Sequence, residues 1–400
     1  MRKVPKLRFK EFSDEWEEKK LGEISEITSG LTPLRSEEKF YLNGIIPWIK
    51  TSDLNNSYIK ETEEKISEIA LKETSIKLLP KNTLLVAMYG GFNQIGRTGL
   101  TTMEATTNQA LSAIKFKDIN KFPLFFQNIL NYKVDYWKKV SASSRKDPNI
   151  SKKDIEDFKV FYPRLEEQEK IATFLSSIDK KISLTEEKLE LFREYKKGVM
   201  QKIFSQELRF KDSNGNDYPE WEEKRLEEIL ESGSKERVEN IKNYQKITIK
   251  LNLKGIEKNF SKREMADTRP FYIRELNEII IGKQNYFNGS IAIITREFAG
   301  CICSNAIMSF KVRKGNVKFI YLYLSQRDYM KKREFLANGT GQKELSEKEF
   351  LNFVIKLPIL EEQQKIVYFL SSIDSKIESI EKELDELKRL KKGLLQQIFV

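Results

Sequence analysis

The sequence predicts an α/β (α+β) chain: two variable domains, each followed by a long helix, with the helices paired as an antiparallel coiled coil in a pseudo-two-fold internal repeat. Three observations predict it. Residues 163–204 and 358–399 match at a fixed offset of 195, with 23 of 42 positions identical. Both copies carry an apolar seam stepping by four and three residues. The stretches before each copy show short β-like runs punctuated by glycine and asparagine. The boundaries that follow are 1–162, 163–205, 206–357 and 358–400.

Each half opens alike. Leu7-Arg8-Phe9-Lys10 recurs as Leu208-Arg209-Phe210-Lys211, and Trp16-Glu17-Glu18-Lys19 as Trp221-Glu222-Glu223-Lys224. In the first variable domain, 45–49 and 82–89 read as strands, Gly90-Gly91 as a turn, and 123–136 as a helix. Pro163 then stops the last strand before the first long helix. Its seam runs Ile171, Leu175, Ile178, Ile182, Leu189, Phe192, Val199 and Ile203, with Thr185 and Lys196 in two of the slots. In the second variable domain, 245–251, 278–281, 291–295 and 306–312 read as strands and 317–335 as helix. After Pro358 the seam resumes as Ile366, Leu370, Ile373, Ile377, Ile380, Leu384, Leu387, Leu394 and Ile398, with Lys391 in one slot. Two amphipathic helices packed on separate globular cores are the plainer alternative; a seam sustained this long in both copies argues against it. The domain 206–357 begins where one helix ends and finishes where the other begins. A compact domain brings its termini together, whereas parallel pairing would force it to span a helix of about 60 Å, so antiparallel pairing is expected.

Composition narrows the chemistry. There is no histidine, which excludes Ser-His-Asp and Cys-His catalysis and HExxH zinc sites. Cys301 and Cys303 make half a zinc site and no disulfide framework; they alternate along a strand as small apolar residues, and a reducing cytoplasm is the expected compartment. Residues 1–10 are basic without an apolar run, and no stretch is apolar enough to span a membrane. The string Asp212-Ser213-Asn214-Gly215-Asn216-Asp217 approaches a calcium loop but puts Asp217 where glycine belongs, so it reads as an Asn-Gly turn. Lys146-Asp147-Pro148-Asn149 lacks the second proline and the aromatic of an amino-methyltransferase motif, and no phosphate-binding GxxxxGK[ST] loop occurs. No catalytic residue, metal site or cofactor is expected in this chain.

A net charge of +11 points to a polyanionic partner, nucleic acid before membrane. One polar loop in each half stands at the same place in the 195-residue frame. These are Ser143, Ser144, Arg145 and Lys146 before Ile150-Ser151, and Thr340, Gly341, Gln342 and Lys343 before Leu345-Ser346, each step leading into the last strand. Small residues let such a loop approach a groove, and Arg, Lys and Gln reach base edges or phosphates. Asn93, Gln94 and Arg97 after Gly90-Gly91, and Lys283, Gln284, Asn285 and Arg296, are further candidates.

With LEEQEKIATFLSSID at 165–179, LEEQQKIVYFLSSID at 360–374, a long helix ending Lys-Lys-Gly after each, and the opener around Trp221, the chain resembles the specificity subunit of type I restriction-modification systems. Thr107-Asn108-Gln109-Ala110, echoed by Ser304-Asn305-Ala306-Ile307 without the glutamine, adds to the resemblance; the latter tetrad reads as core strand. The resemblance implies two target-recognition domains reading a bipartite double-stranded DNA site with an unread spacer. It implies two modification (methyltransferase) subunits and restriction subunits as partners, with AdoMet, ATP and Mg held by them. The alternatives are a stand-alone methyltransferase-nuclease, which would need the motifs missing here, and a coiled-coil scaffold without DNA readout, which would not need two divergent domains.

Overall fold

A computed structural model describes residues 4–142, 149–259, 269–336 and 344–399. The chain forms two compact units, one of 1–187 with 381–400 and one of 188–380. Each unit therefore takes part of both long helices.

In the first unit the opening strand Glu17–Lys20 pairs antiparallel with Lys159–Tyr162. A five-stranded sheet follows the order Ser25–Ser29, Leu111–Phe116, Leu84–Ala87, Thr98–Thr101, Ser57–Ile59; only the last pairing is parallel. Leu84–Ala87 is buried at every position, which is why it reads as an unbroken apolar run. Leu84 and Val86 face a core with Phe125, Phe126, Ile129 and Trp137, while Leu85 and Ala87 face a second core with Ile49, Leu54 and Ile59. The helix expected over 123–136 is two helices, Pro123–Tyr132 and Val134–Ala142.

The second unit repeats the closing ribbon, Glu222–Arg225 against Val354–Leu357. Its main sheet has four antiparallel strands in the order Leu230–Ser232, Ile307–Val312, Ile279–Gly282, Ile291–Ile293. Two small ribbons, Ile247–Ile249 with Ile256–Lys258 and Phe271–Ile273 with Ile302–Ser304, flank it. The four strands expected here are all present: three have shorter bounds, and the one expected over 278–281 is shifted by one residue to Ile279–Gly282. Cys301 and Cys303 are buried, unbridged, in one small core with Ile247, Ile280 and Ile294. The Asp212 string is a turn: the Asp212 carboxylate accepts the N–H groups of Asn214 and Asn216, both at 2.8 Å, and Gly215 takes φ +86°.

The long helices are Leu165–Phe204 and Leu360–Ile398. Within the first unit Asp179 pairs with Lys391 and Glu186 with Lys388, so the numbering rises on one helix as it falls on the other. Within the second, Lys196 pairs with Asp374, and Ile203 shares a core with Ile366. In each unit the pairing is antiparallel. Not all seam residues do the same work. Ile171 and Leu175, like Ile366 and Leu370, are fully enclosed in the globular cores, so the start of each helix does pack on a domain. Leu189, Ile373 and Leu384 are buried further along, and Ile178, Ile182 and Ile377 are half-buried.

Candidate nucleic-acid interface

The constant residues of the repeat hold the fold together. Arg8 donates from two nitrogens to the carboxylate of Glu167, at 2.8 and 2.7 Å, and Arg209 does the same to Glu362, at 3.2 and 2.9 Å. Both glutamates are fully buried. A planar guanidinium matches a carboxylate in this fork, which fixes the opener against the helix start. The next residue is equally structural. Gln168 donates to Pro163 O at 2.7 Å and accepts Phe122 N–H at 2.9 Å; Gln363 donates to Pro358 O at 2.6 Å and accepts Asn316 N–H at 2.7 Å. The Leu-Glu-Glu-Gln motif is thus a clasp.

In the first unit the strands Leu84–Ala87 and Thr98–Thr101 are joined by the loop 88–97. Ala87 and Arg97 close it, with Ala87 N–H donating to Arg97 O at 2.9 Å and Gly96 N–H to Ala87 O at 3.0 Å. Gly91 O accepts the N–H groups of Gln94 and Ile95, and Arg97 Nε donates to Asn93 O at 3.1 Å, so the three candidates Asn93, Gln94 and Arg97 share one turn. Glycine is required at Gly96: its φ is +75°, and a Cβ there would lie 2.5 Å from the Trp137 ring.

Ser143, Ser144, Arg145 and Lys146 lie outside the described residues, as do Thr340, Gly341, Gln342 and Lys343. The residues that follow them are placed. Ile150 N–H donates to Met88 O at 3.1 Å, at the start of the loop 88–97. In the second unit Leu345 N–H donates to Lys283 O at 2.9 Å, at the start of the loop 283–290. Met88 and Lys283, and Ile150 and Leu345, are each 195 residues apart. The frame of the repeat therefore persists, through backbone bonds, in regions whose side chains have diverged. The Ile/Leu-Ser step enters a short helix rather than the last strand. Ser151 and Ser346 are its N-caps, each in a reciprocal box with Asp154 or Glu349, and the strand comes after.

Lys283 is half-buried, while Gln284 and Asn285 are exposed on that second loop. Arg296 is exposed but lies beyond Ile291–Ile293, at the opposite end of that strand from the loop, so the fold separates it from the other three. The tetrad read as core strand is also displaced. The strands end at Thr107 and Ser304, and Asn305 and Ala306 form an exposed turn. In the first unit Asn108 Oδ1 accepts Ala110 N–H at 3.2 Å, the turn-forming habit of asparagine. Those turns adjoin the same loops: Met88 N–H donates to Ala110 O at 2.8 Å and Lys283 N–H to Ala306 O at 3.0 Å. Gln109, exposed there, accepts from the Thr32 hydroxyl. The asparagines were the legible signal of a turn.

The arrangement offers amide and guanidinium groups on a backbone-defined platform, suited to base edges and phosphates. Among the described residues no cluster of three or more His, Cys, Asp or Glu is placed to hold a metal, and no helix is long and apolar enough to cross a membrane.

Comparisons with known proteins agree with this geometry. The chain is similar to the type I restriction enzyme MjaIX specificity subunit of Methanocaldococcus jannaschii, with 28% identity covering 96% of this chain and 92% of that protein. It is similar over 43% of its length to the EcoR124I/EcoR124II specificity subunit of Escherichia coli, at 28% identity. The fold is like that of the type I restriction-modification S subunit from M. genitalium, with a TM-score of 0.59, 17% identity and 99% of both chains covered. A family model described as "Type I restriction modification DNA specificity domain" matches residues 13–191 and 218–389, so the chain belongs to that family.

Proposed function

We propose that this chain is the sequence-specific DNA-recognition subunit of a type I restriction-modification complex, and that each compact unit reads one half of a bipartite target. The observation that carries the reading is a doubled backbone contact: Ile150 N–H on Met88 O and Leu345 N–H on Lys283 O return the chain, at equivalent places in the repeat, to the start of a hairpin loop bearing amide and cationic side chains in each unit. Asn93, Gln94 and Arg97 serve the first half-site with Ser143, Ser144, Arg145 and Lys146. Lys283, Gln284 and Asn285 serve the second with Thr340, Gly341, Gln342 and Lys343. Methylation and cleavage belong to partner methyltransferase and restriction subunits, which hold AdoMet, ATP and Mg, while this chain supplies no catalytic group. The complex acts on cytoplasmic double-stranded DNA.

The test is an exchange. Residues 22–140 are replaced by the corresponding region of another specificity subunit, and methylated adenines are mapped genome-wide in cells carrying the assembled complex. One half of the target should change and the other persist; loss of both halves would refute independent reading.

A further inference from the structure

The loop 88–97 carries a feature that the reading of bases through amides and guanidinium does not use. Tyr89 and Phe92 flank Gly90 and Gly91 and stand 43% and 50% exposed. Both glycines have positive φ; a Cβ on Gly91 would meet nothing within 4 Å, whereas Gly90 lies against the Gln94 side chain, so the tip is open on the Gly91–Phe92 side. The second unit solves the same loop in the opposite way. At the position equivalent to Phe92, Phe287 is half-buried. Its neighbour Tyr286 is wholly buried and donates its hydroxyl to Leu324 O at 2.8 Å. The turn Asn252–Leu253 clasps that loop by two backbone bonds, and Gln284 and Asn285 face out instead of rings.

Two exposed rings amid Asn93, Gln94 and Arg97 call for an apolar partner inside an otherwise polar contact. Duplex DNA presents polar groove edges and charged phosphates, and its extended apolar surface lies between stacked base pairs. Aromatic and aliphatic side chains reach that surface by wedging into a base step and unstacking it. We propose that Phe92, supported by Tyr89, is an aromatic wedge that enters a base step of the half-site read by the first unit, and that the second unit reads its half without one. The proposal rests on the reading of the first unit as DNA-binding.

The experiment uses the full chain assembled with its methyltransferase subunits and a duplex carrying the mapped target. 2-Aminopurine replaces each adenine in turn, and its fluorescence rises when its stack is opened. Binding of the wild-type complex should brighten the probe at one step of the half-site that the 22–140 exchange alters, and leave probes in the other half quenched. Phe92→Ala should abolish that rise and weaken binding roughly tenfold, the scale of one base–aromatic stack; Phe92→Trp should preserve both. Should Phe92→Ala lower the unfolding temperature, Tyr89→Ala supplies a comparison at the same tip. Unchanged fluorescence and affinity in the alanine variants would overturn the wedge. So would failure of those variants to assemble with the methyltransferase subunits, which would make the rings a protein contact. A wild-type complex that did not distinguish its mapped duplex from a scrambled one would instead bring down the DNA reading itself, a separate failure.

Discussion

Two buried carboxylates make different claims on stability. Glu362 accepts the Arg209 fork and also the Trp221 indole N–H at 3.1 Å. Glu362→Ala leaves the mostly enclosed Arg209 guanidinium with the Tyr218 and Pro219 carbonyls and the exposed Glu220 but without its buried counter-charge, and removing one partner of a buried pair costs about 3 kcal/mol; the denaturant midpoint of the second unit should fall accordingly. Glu278 is the opposite case. It is 1% exposed, and Oε1 has no hydrogen-bond partner among the described residues. Burial raises its carboxyl above the ordinary range, against the opposing pull of the Glu275 N–H, Arg274 at 4.0 Å and the Lys311 ammonium. The folded chain then holds this proton more tightly than the unfolded chain. Its favourable contribution is present in acid and is lost as pH rises through the raised value. Compared with Glu278→Gln, the wild type should lose melting temperature as pH rises from about 4 to 8. Parallel profiles would mean that Arg274 holds the ionised form without penalty.

At the scale of elements, the helices were legible because a seam of period 3.5 declares itself without knowledge of the partner. The lysines in that seam were visible only as interruptions. Lys196 and Lys391 occupy apolar slots because Asp374 and Asp179 stand opposite them, and this needs the antiparallel register to be seen. Reversing one charge, Asp374→Lys, should destabilise the second unit by about 1 kcal/mol, and adding Lys196→Asp should restore it. A double-mutant cycle with no coupling would make the pair incidental. Among the candidate site residues, Asn93, Gln94 and Arg97 fall together because they are neighbours in one turn. Arg296 was grouped by side-chain type, which carries no information about the end of the strand it occupies. Similarly, Ser304 and the run into Ile307 suggested continuous strand, although the strand ends at Ser304 and Asn305 opens a turn before the next one begins. The Met88–Ile150 and Lys283–Leu345 bonds join backbone groups across whole domains, and no side-chain pattern encodes them.

For the molecule as a whole, the repeat predicts a ruler. One heptad added to each long helix keeps the seam in phase and adds about 10.5 Å of helix. At 3.4 Å per base pair that is about three base pairs, so the unread spacer in the methylated sites should lengthen by about three. Recognition at the original spacing by the lengthened protein would show that the helices do not set it. The composition of the first unit has a consequence in time. Ile398 and Phe399 lie in its core with Trp16 and Phe125, the Phe125 and Phe399 rings 5.7 Å apart. That unit is built from 1–187 and 381–400, whereas the second is one unbroken stretch. During synthesis, domains ordinarily mature from the N-terminal end. Here the order is reversed: the ribosome must deliver the whole of 188–380 before the first unit receives its last aromatic, so the part begun first is finished second. Chains released at residue 380 should carry a protease-resistant second unit beside a first unit still open to cleavage.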